Sequence, residues 1–342
     1  MNNKSFPAFV LVVITCSLNL AFAQKPQPMM KAVVVNEYGG PEVLKYQDAP
    51  KPEPKDDEIL IRVIAAAVNP VDSYVRQGMF AKRGVDNRPL IVGSDIAGIV
   101  ERTGANAKKF KTGDAVYCYL AVTRGGGYAE FAVAKESETA LKPKNINFIE
   151  AAAVPLAGTT AWQALIDTAK LGKDQTVLIH GGSGGVGSFA IPIAKARGAK
   201  VIATASTAHQ ALLRQLGVDL AIDYTTTRFE DAVKDVDLVL NCARADALGR
   251  SYGVLKKGGM IVSITDEPDQ TECAKHDISC SRMGAHPEAK VLEELTKLIE
   301  ARKMTPTASQ TFPLAEASQA HQQIETRHTL GKIVLKVAEA PK

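Results

Sequence analysis

The chain has 342 residues, 46% hydrophobic and 23% charged, with 26 glycines and 17 prolines. That composition can bury a core and excludes both a disulfide-stapled mini-protein and a disorder-biased polymer. At about 100–200 residues per domain the length suggests two folded units, or one large one. Lys plus Arg number 41 against 37 Asp plus Glu, a formal net charge of +4. No block of like charges concentrates that excess, so no dedicated nucleic-acid surface is expected.

Residues 1–23 read as a signal peptide: one cation, Lys4, then an apolar stretch over 6–20, then Ala21-Phe22-Ala23 before Gln24. Small residues at −3 and −1 fit a signal-peptidase pocket. An uncleaved membrane anchor is the alternative, since the stretch is near the minimum of about 17 residues for a span. The Ala-x-Ala end and the proline-rich spacer Lys25-Pro26-Gln27-Pro28, within a linker over 24–29, favour cleavage. A lipoprotein reading through Cys16 ranks last, because Thr15 is large for the residue before a lipidated Cys. The mature chain is expected to be exported, periplasmic or secreted, and off the membrane once cleaved.

From residue 31 to about 153 the apolar segments are short, rich in Val and Ile and punctuated by Gly and Pro: 31–35, 58–68, 96–100, 115–119 and 128–133. That spacing predicts an all-β unit. From about 153 to 284 strands and helical stretches alternate, with strands at 176–180, 200–204, 220–223, 237–241 and 260–264 and helices at 186–197 and 208–216. Such alternation predicts a doubly wound parallel sheet. A helix over 288–303 and a last strand over 332–337, preceded by Gly331, look like a return to the β unit.

The strongest chemical motif opens the α/β half. Val177-Leu178-Ile179-His180 is a buried-type strand, followed at once by Gly182-x-Gly184-x-x-Gly187 and an apolar helix. The first Gly permits the tight turn, the second lets backbone approach a pyrophosphate, and the third lets helix pack on strand. Phosphate then sits at the helix N-terminus. The segment Gly182-Ser183-Gly184-Gly185-Val186-Gly187 is therefore a candidate dinucleotide site, and Ser183 reads as a phosphate contact and not a nucleophile.

Cofactor identity turns on the end of the second strand, where an acid holds the ribose 2′-hydroxyl of NAD. The chain reads Ala203-Thr204-Ala205-Ser206-Thr207, without an acid, so a 2′-phosphate would meet no repelling carboxylate. Ser206, Thr207 and His209 could donate to it, which favours NADP(H). These residues could equally cap the helix that follows.

Four cysteines lie beyond residue 23: Cys118, Cys242, Cys273 and Cys280. In an exported chain thiols tend to pair, and a Cys273–Cys280 bridge would close a short loop. Cys273-x-x-His276-x-x-x-Cys280 could instead seed a metal site, but it supplies three ligands with no matching second pair. Cys118 and Cys242 end apolar strand-like runs and read as inert buried thiols.

Five stretches carry a resemblance: Asn36-Glu37-Tyr38-Gly39-Gly40-Pro41-Glu42-Val43-Leu44, Val68-Asn69-Pro70-Val71-Asp72-Ser73-Tyr74-x-Arg76-x-Gly78, Gly93-Ser94-Asp95-x-Ala97-Gly98, Ala152-Ala153-x-Pro155-Leu156-Ala157-Gly158-Thr159-Thr160-Ala161 and Gly331-Lys332-Ile333-Val334-Leu335. In this order they resemble the zinc-free, zeta-crystallin-like quinone oxidoreductases of the medium-chain dehydrogenase/reductase superfamily. The resemblance implies an α/β architecture: a GroES-like catalytic domain over 30–152, completed by 288–342, and a Rossmann NADP-binding domain over 153–287. It also suggests a homodimer through sheet edges.

In the zinc alcohol dehydrogenases of that superfamily a Cys follows the strand equivalent to 59–68, and a His stands where this chain has Ser94-Asp95. Neither ligand is present here, nor is a cysteine quartet for a structural zinc, so no metal is expected. Without a Lewis acid to deprotonate an alcohol, hydride must go to an acceptor already electrophilic, a quinone or an α,β-unsaturated carbonyl. The charge thrown onto the carbonyl oxygen needs a hydrogen-bond donor in a dry cleft. By resemblance Asn69 and Tyr74 line that cleft, and a phenol can also give a proton. Asp72 is expected to orient their turn. Resemblance alone places Thr160 near the carboxamide, Tyr224 near the 2′-phosphate, Asn241 and Ser263 to Thr265 beside the nicotinamide, and Lys332 on the cofactor. Strand carboxyl ends bind ligands in open α/β sheets, which supports Asn241 and Thr265 independently. An exposed Lys before a strand would simply be solvated. Two alternatives share the fold: a trans-enoyl-thioester reductase and a non-catalytic dinucleotide-binding protein. The second gains force because reduced nicotinamide cofactors are kept inside the cell.

Overall fold

The computed structural model describes residues 27–84 and 88–341. The signal-peptide reading of residues 1–23 and the first part of the linker lie outside them. No described helix is long and apolar enough to cross a membrane.

In the N-terminal part, β1 (Met29–Val35), β2 (Leu44–Pro50) and β4 (Leu90–Ile91) form a small antiparallel sheet. The larger sheet is built on β3 (Glu58–Val68), whose residues Ile59 to Ala67 are almost all buried. Paired to it are β5 (Asp95–Thr103), β7 (Phe131–Lys135) and the C-terminal β16 (Lys332–Lys336). β6 (Ala115–Tyr119), β8 (Thr139–Leu141) and β15 (Ala308–Pro313) complete seven strands. A Cβ on Gly98 of β5 would stand 2.2 Å from the Arg62 carbonyl oxygen, so only glycine lets β5 cross β3 there. β15, whose Ala-Ser-Gln-Thr start carries no apolar alternation, was not expected from the sequence. It pairs parallel with β16.

The second sheet is wholly parallel, in the order β11–β10–β9–β12–β13–β14. Its strands are β9 (Thr176–His180), β10 (Lys200–Ala205), β11 (Leu220–Asp223), β12 (Val236–Asn241), β13 (Leu255–Ser263) and β14 (Ser279–Arg282). The chain leaves β9 toward β10 and later returns to the other side of β9 with β12. The carboxyl end of β9 is therefore a topological switch point, where an open sheet leaves a crevice.

The two halves share one hydrophobic core: Ala65, Ala67 and Tyr117 of the β unit lie in the same cluster as Val177, Ile191 and Val262 of the parallel sheet and its helices. The helix Ala289–Glu300 closes it with Leu292, Leu295 and Ile299, each almost fully buried. Burying such a side chain contributes about 1.5–3 kcal/mol, so the walls of the crevice between the halves are held by packing.

Cys273 and Cys280 form a disulfide with Cα atoms 6.2 Å apart, tying the helix Gln270–Lys275 to the edge strand β14. The metal reading of this segment falls: both sulfurs are bonded, and His276 stacks on Tyr252 with ring centroids 6.4 Å apart. Burial pushes the thiols of Cys118 and Cys242 up to about 12, as expected of inert thiols.

Candidate active site

The glycine turn sits at the switch point. β9 ends at His180, Gly181 takes φ +70°, and the helix Gly185–Ala196 starts behind Gly184. A Cβ on Gly187 would stand 2.2 Å from the Gly181 carbonyl oxygen, so any larger residue would push the helix off its strand. Gly184 has no side chain, and the helix has no side-chain capping bond among the described residues. The first-turn N–H groups thus face the crevice with the positive end of the helix dipole, an arrangement that suits a phosphate. Ser183 is buried, its hydroxyl 3.1 Å from His209 Nδ1, and its carbonyl accepts from the Gly331 N–H at 2.8 Å. The β unit thereby touches the glycine turn directly.

At the far end of the crevice Ser206 opens the turn Thr207–His209 without a side-chain capping bond. Its hydroxyl is not engaged as a cap. The expectation that no carboxylate faces this end needs correction. β11 runs beside β10 with Asp223 in register with Ala205. Asp223 accepts hydrogen bonds from Thr207 Oγ1 at 2.5 Å and Thr225 Oγ1 at 2.7 Å. These hydroxyls hold its carboxyl below the usual carboxylate range, so it is ionised at neutral pH. Tyr224 follows it, exposed, with its N–H on the Ala205 carbonyl at 3.2 Å.

At the other end Asn241 and Ser263 are register partners on β12 and β13. Asn241 Nδ2 donates to Ser263 Oγ at 3.2 Å and Thr265 Oγ1 at 3.0 Å, and Thr265 Oγ1 donates to the Ala243 carbonyl at 2.9 Å. Asn241 Oδ1 is buried without a hydrogen-bond partner among the described residues. A native fold rarely leaves such an acceptor orphaned, and a ligand donor would satisfy it. Thr160 lies on the helix Pro155–Trp162, where its hydroxyl donates to the Leu156 carbonyl at 2.7 Å.

Lys332 is not solvated: it is 3% exposed. Its ammonium donates to Asn69 Oδ1, to Asp95 Oδ2 at 3.2 Å and to the Val68 carbonyl at 3.3 Å. Its stem passes 3.1 Å from the point where a Cβ of Gly185 would stand, so it runs between the glycine turn and the Asn-Pro turn. Asp95 is fully buried and also accepts from Asn69 Nδ2 at 2.9 Å and the Leu156 N–H at 2.6 Å. Burial holds its pKa above the usual range, with Lys332 and the other donors pulling against that shift.

Both ends of the Asn69 amide are therefore engaged inside the protein, and the residue is 2% exposed. Lys332 and Asp95 thus hold the amide that was expected to donate into the cleft. Asp72 does orient the turn, accepting from the Asn69 N–H at 2.8 Å and Tyr128 Oη at 3.0 Å, and burial raises its pKa to about 7. Sequence reasoning missed the layer behind. Tyr128 Oη lies 3.2 Å from His321 Nε2, His321 Nδ1 lies 3.3 Å from Ser73 Oγ, and Arg76 donates to Glu325 at 2.5 Å. These contacts lock the helix Pro70–Arg76 against the helix Ala317–Glu325. Tyr74, on the same short helix, is partly exposed, and its phenol accepts from Arg244 of the opposite half.

The site does not suit a divalent cation. The carboxylate of Asp95 lies beside the ammonium of Lys332, that of Asp72 is taken by the Asn69 N–H and Tyr128, and among the described residues no group of three or more His, Cys, Asp or Glu is placed to hold a metal ion.

Residues 55–144 match the family described as alcohol dehydrogenase GroES-like domain, and residues 216–335 the one described as zinc-binding dehydrogenase. The chain is 38% identical over 320 residues to the chloroplastic NADPH-dependent alkenal/one oxidoreductase of Arabidopsis thaliana, covering 90% of this chain and 79% of that protein. Among solved structures it is similar to the quinone oxidoreductase from Coxiella burnetii, with TM-score 0.85 and 34% identity over 91% of this chain and 100% of that one. It is also similar to the Escherichia coli quinone oxidoreductase complexed with NADPH, with TM-score 0.81 and 27% identity over 90% of this chain and 100% of that one.

Proposed function

The chain belongs to the quinone-oxidoreductase-like family of the medium-chain dehydrogenase/reductase superfamily, and we infer from that membership that it is an NADPH-dependent reductase of quinones or α,β-unsaturated carbonyls. The observation that carries this reading is that the uncapped glycine-turn helix and the orphaned Asn241 Oδ1 stand at the carboxyl ends of the neighbouring strands β9 and β12, with Tyr74 hydrogen-bonded to Arg244 just beyond β12. Both features suit a dinucleotide. The glycine turn would hold the pyrophosphate, Ser206 and Tyr224 the adenosine end, and Asn241, Ser263 and Thr265 the nicotinamide end.

When bound, NADPH supplies a hydride to the β carbon of the conjugated substrate. The protein meets the charge that then appears on the carbonyl oxygen. Tyr74 is the donor that would do so by hydrogen bond, and its proton would then pass to the α carbon of the enolate. Asn69, Lys332 and Asp95 keep the Tyr74 helix and the glycine turn at fixed separation, and the shared core keeps water from their far side. No step passes through a metal.

Purified protein mixed with NADPH and a panel of enones, alkenals and quinones tests the reading. Loss of NADPH absorbance matched by saturated ketone or hydroquinone supports it, and NADPH binding without turnover would favour the non-catalytic alternative.

Export is part of the proposal, and the Cys273–Cys280 disulfide supports it, because such bonds persist in oxidising compartments. Homodimerisation is proposed on the family resemblance, with the free edge of β14 as the joining strand. Light scattering of the purified protein tests it: a monomer at micromolar concentration contradicts the dimer.

A further inference from the structure

We propose that Arg244 is a positioning residue for proton delivery, acting through Tyr74. This rests on the reductase reading above. Arg244 donates a hydrogen bond to Tyr74 Oη, and its guanidinium carbon lies 5.6 Å from the ring centroid. The two residues come from opposite halves: Tyr74 from the helix Pro70–Arg76 of the β unit, Arg244 from the segment that follows β12. Their contact spans the crevice where the substrate must enter.

The segment carrying Arg244 is anchored to the nicotinamide end of the site. Thr265 Oγ1 donates to the carbonyl of Ala243, the residue just before Arg244, and accepts from Asn241 Nδ2. The same hydroxyl thus ties the Arg244 backbone to the residue whose free oxygen awaits the cofactor. Among the described residues Arg244 contacts Tyr74 alone, with no carboxylate to neutralise it. Glu and Asp would be the usual partners of a surface Arg, so the placement of its charge over a phenol calls for an explanation.

Chemistry supplies one. A guanidinium has donors and no acceptor, so the phenol oxygen must be the acceptor in this pair. The single phenol proton is then left free for an acceptor other than Arg244, such as a substrate. During reduction the hydride, with both its electrons, forms the new C–H bond at the substrate β carbon, and the C=C pair moves onto the carbonyl oxygen as an enolate. The Tyr74 O–H bond breaks, its proton goes to the α carbon, and its electron pair stays on the phenolate. Arg244 is the adjacent fixed positive charge, and it stabilises that phenolate until water returns the proton. Oxidised cofactor and saturated ketone leave.

Arg244 is exposed, and such contacts contribute little to folding, so its replacement leaves the fold intact. The test is a cycle of full-length wild type, R244Q, Y74F and the double variant, with R244K as the conservative replacement. Each is assayed with NADPH and a simple enone, with NADPH affinity measured by fluorescence. The expected result is a fall in kcat on the order of tenfold in R244Q. KM and NADPH affinity should stay within about twofold, R244K should recover part of the loss, and R244Q should have less than about a twofold effect in the Y74F background. Equal losses in both backgrounds, or an unchanged kcat in R244Q, would overturn the role. A wild type inactive on every acceptor would refute the reductase reading itself, and the role with it.

Discussion

The ammonium of Lys332 lies 3.2 Å from the carboxylate of Asp95, with both side chains buried. The pair joins the C-terminal strand to β5, 237 residues earlier in the chain, and Asn69 completes it. Either ion alone would be a buried charge without compensation.

Removing Lys332 should therefore be costly. In K332M the Asp95 carboxyl is left buried beside Asn69, and breaking a buried pair in this way costs about 3–5 kcal/mol. Urea denaturation measures it. The double variant K332M/D95N should regain much of the loss, and an unaltered midpoint in K332M would show the pair to be inert.

His321 gives the fold an acid sensitivity. Burial and the neighbouring Arg76 lower its pKa from 6.5 to about 3, so the folded protein keeps it neutral where the unfolded chain protonates it. The unfolded state binds more protons between those values, and the stabilisation is present above about pH 6.5 and lost as pH falls toward 3. Asp72, reached through Tyr128, works in the opposite sense: raised to about 7, it costs stability as pH rises from 3.8. Comparison with H321N separates the two. Wild type should lose stability relative to H321N by about 1.4 kcal/mol per pH unit on acidification through that window. Parallel pH curves would contradict the assignment.

Asp223 should tax the binding of the phosphorylated cofactor. Its ionised carboxylate shares Thr207 with the end of the crevice where the 2′-phosphate is expected. D223N removes a like charge in a partly screened setting, and a gain in NADPH affinity of about threefold or more is expected. NADH affinity should hardly move. Equal changes for both cofactors would place Asp223 outside the site.

Much of this was legible from residue order alone. β9 and β3 are continuous apolar runs bounded by turn residues, and their limits emerge from the sequence as they stand in the structure. The glycine turn was equally plain, because its steric need is local. What stayed hidden depends on neighbours in space. β14 and β15 are polar edge strands whose only signal is pairing. Asp223 was overlooked because the expected acid was sought along β10, while β11 delivers one sideways. Lys332 was expected on the cofactor by resemblance, or else solvated before its strand, and only the return of β16 against β3 buries it. Arg244 carries no motif at all.

The disulfide is a separate test. Closing a loop of this size is expected to stabilise the fold by about 2–3 kcal/mol in the chain-entropy view. Thermal unfolding of C273S/C280S, or of reduced wild type, should therefore begin several degrees lower. No shift would mean that the bridge is not formed in the native protein.

The most direct measurement is turnover of purified protein with NADPH and a simple enone, run with and without a strong chelator. A metal-free reductase working through Tyr74 should oxidise NADPH and form the saturated ketone at a rate the chelator does not change, and Y74F should be slower by about a hundredfold or more. Failure to bind NADPH, or activity abolished by the chelator and restored by zinc, would contradict it.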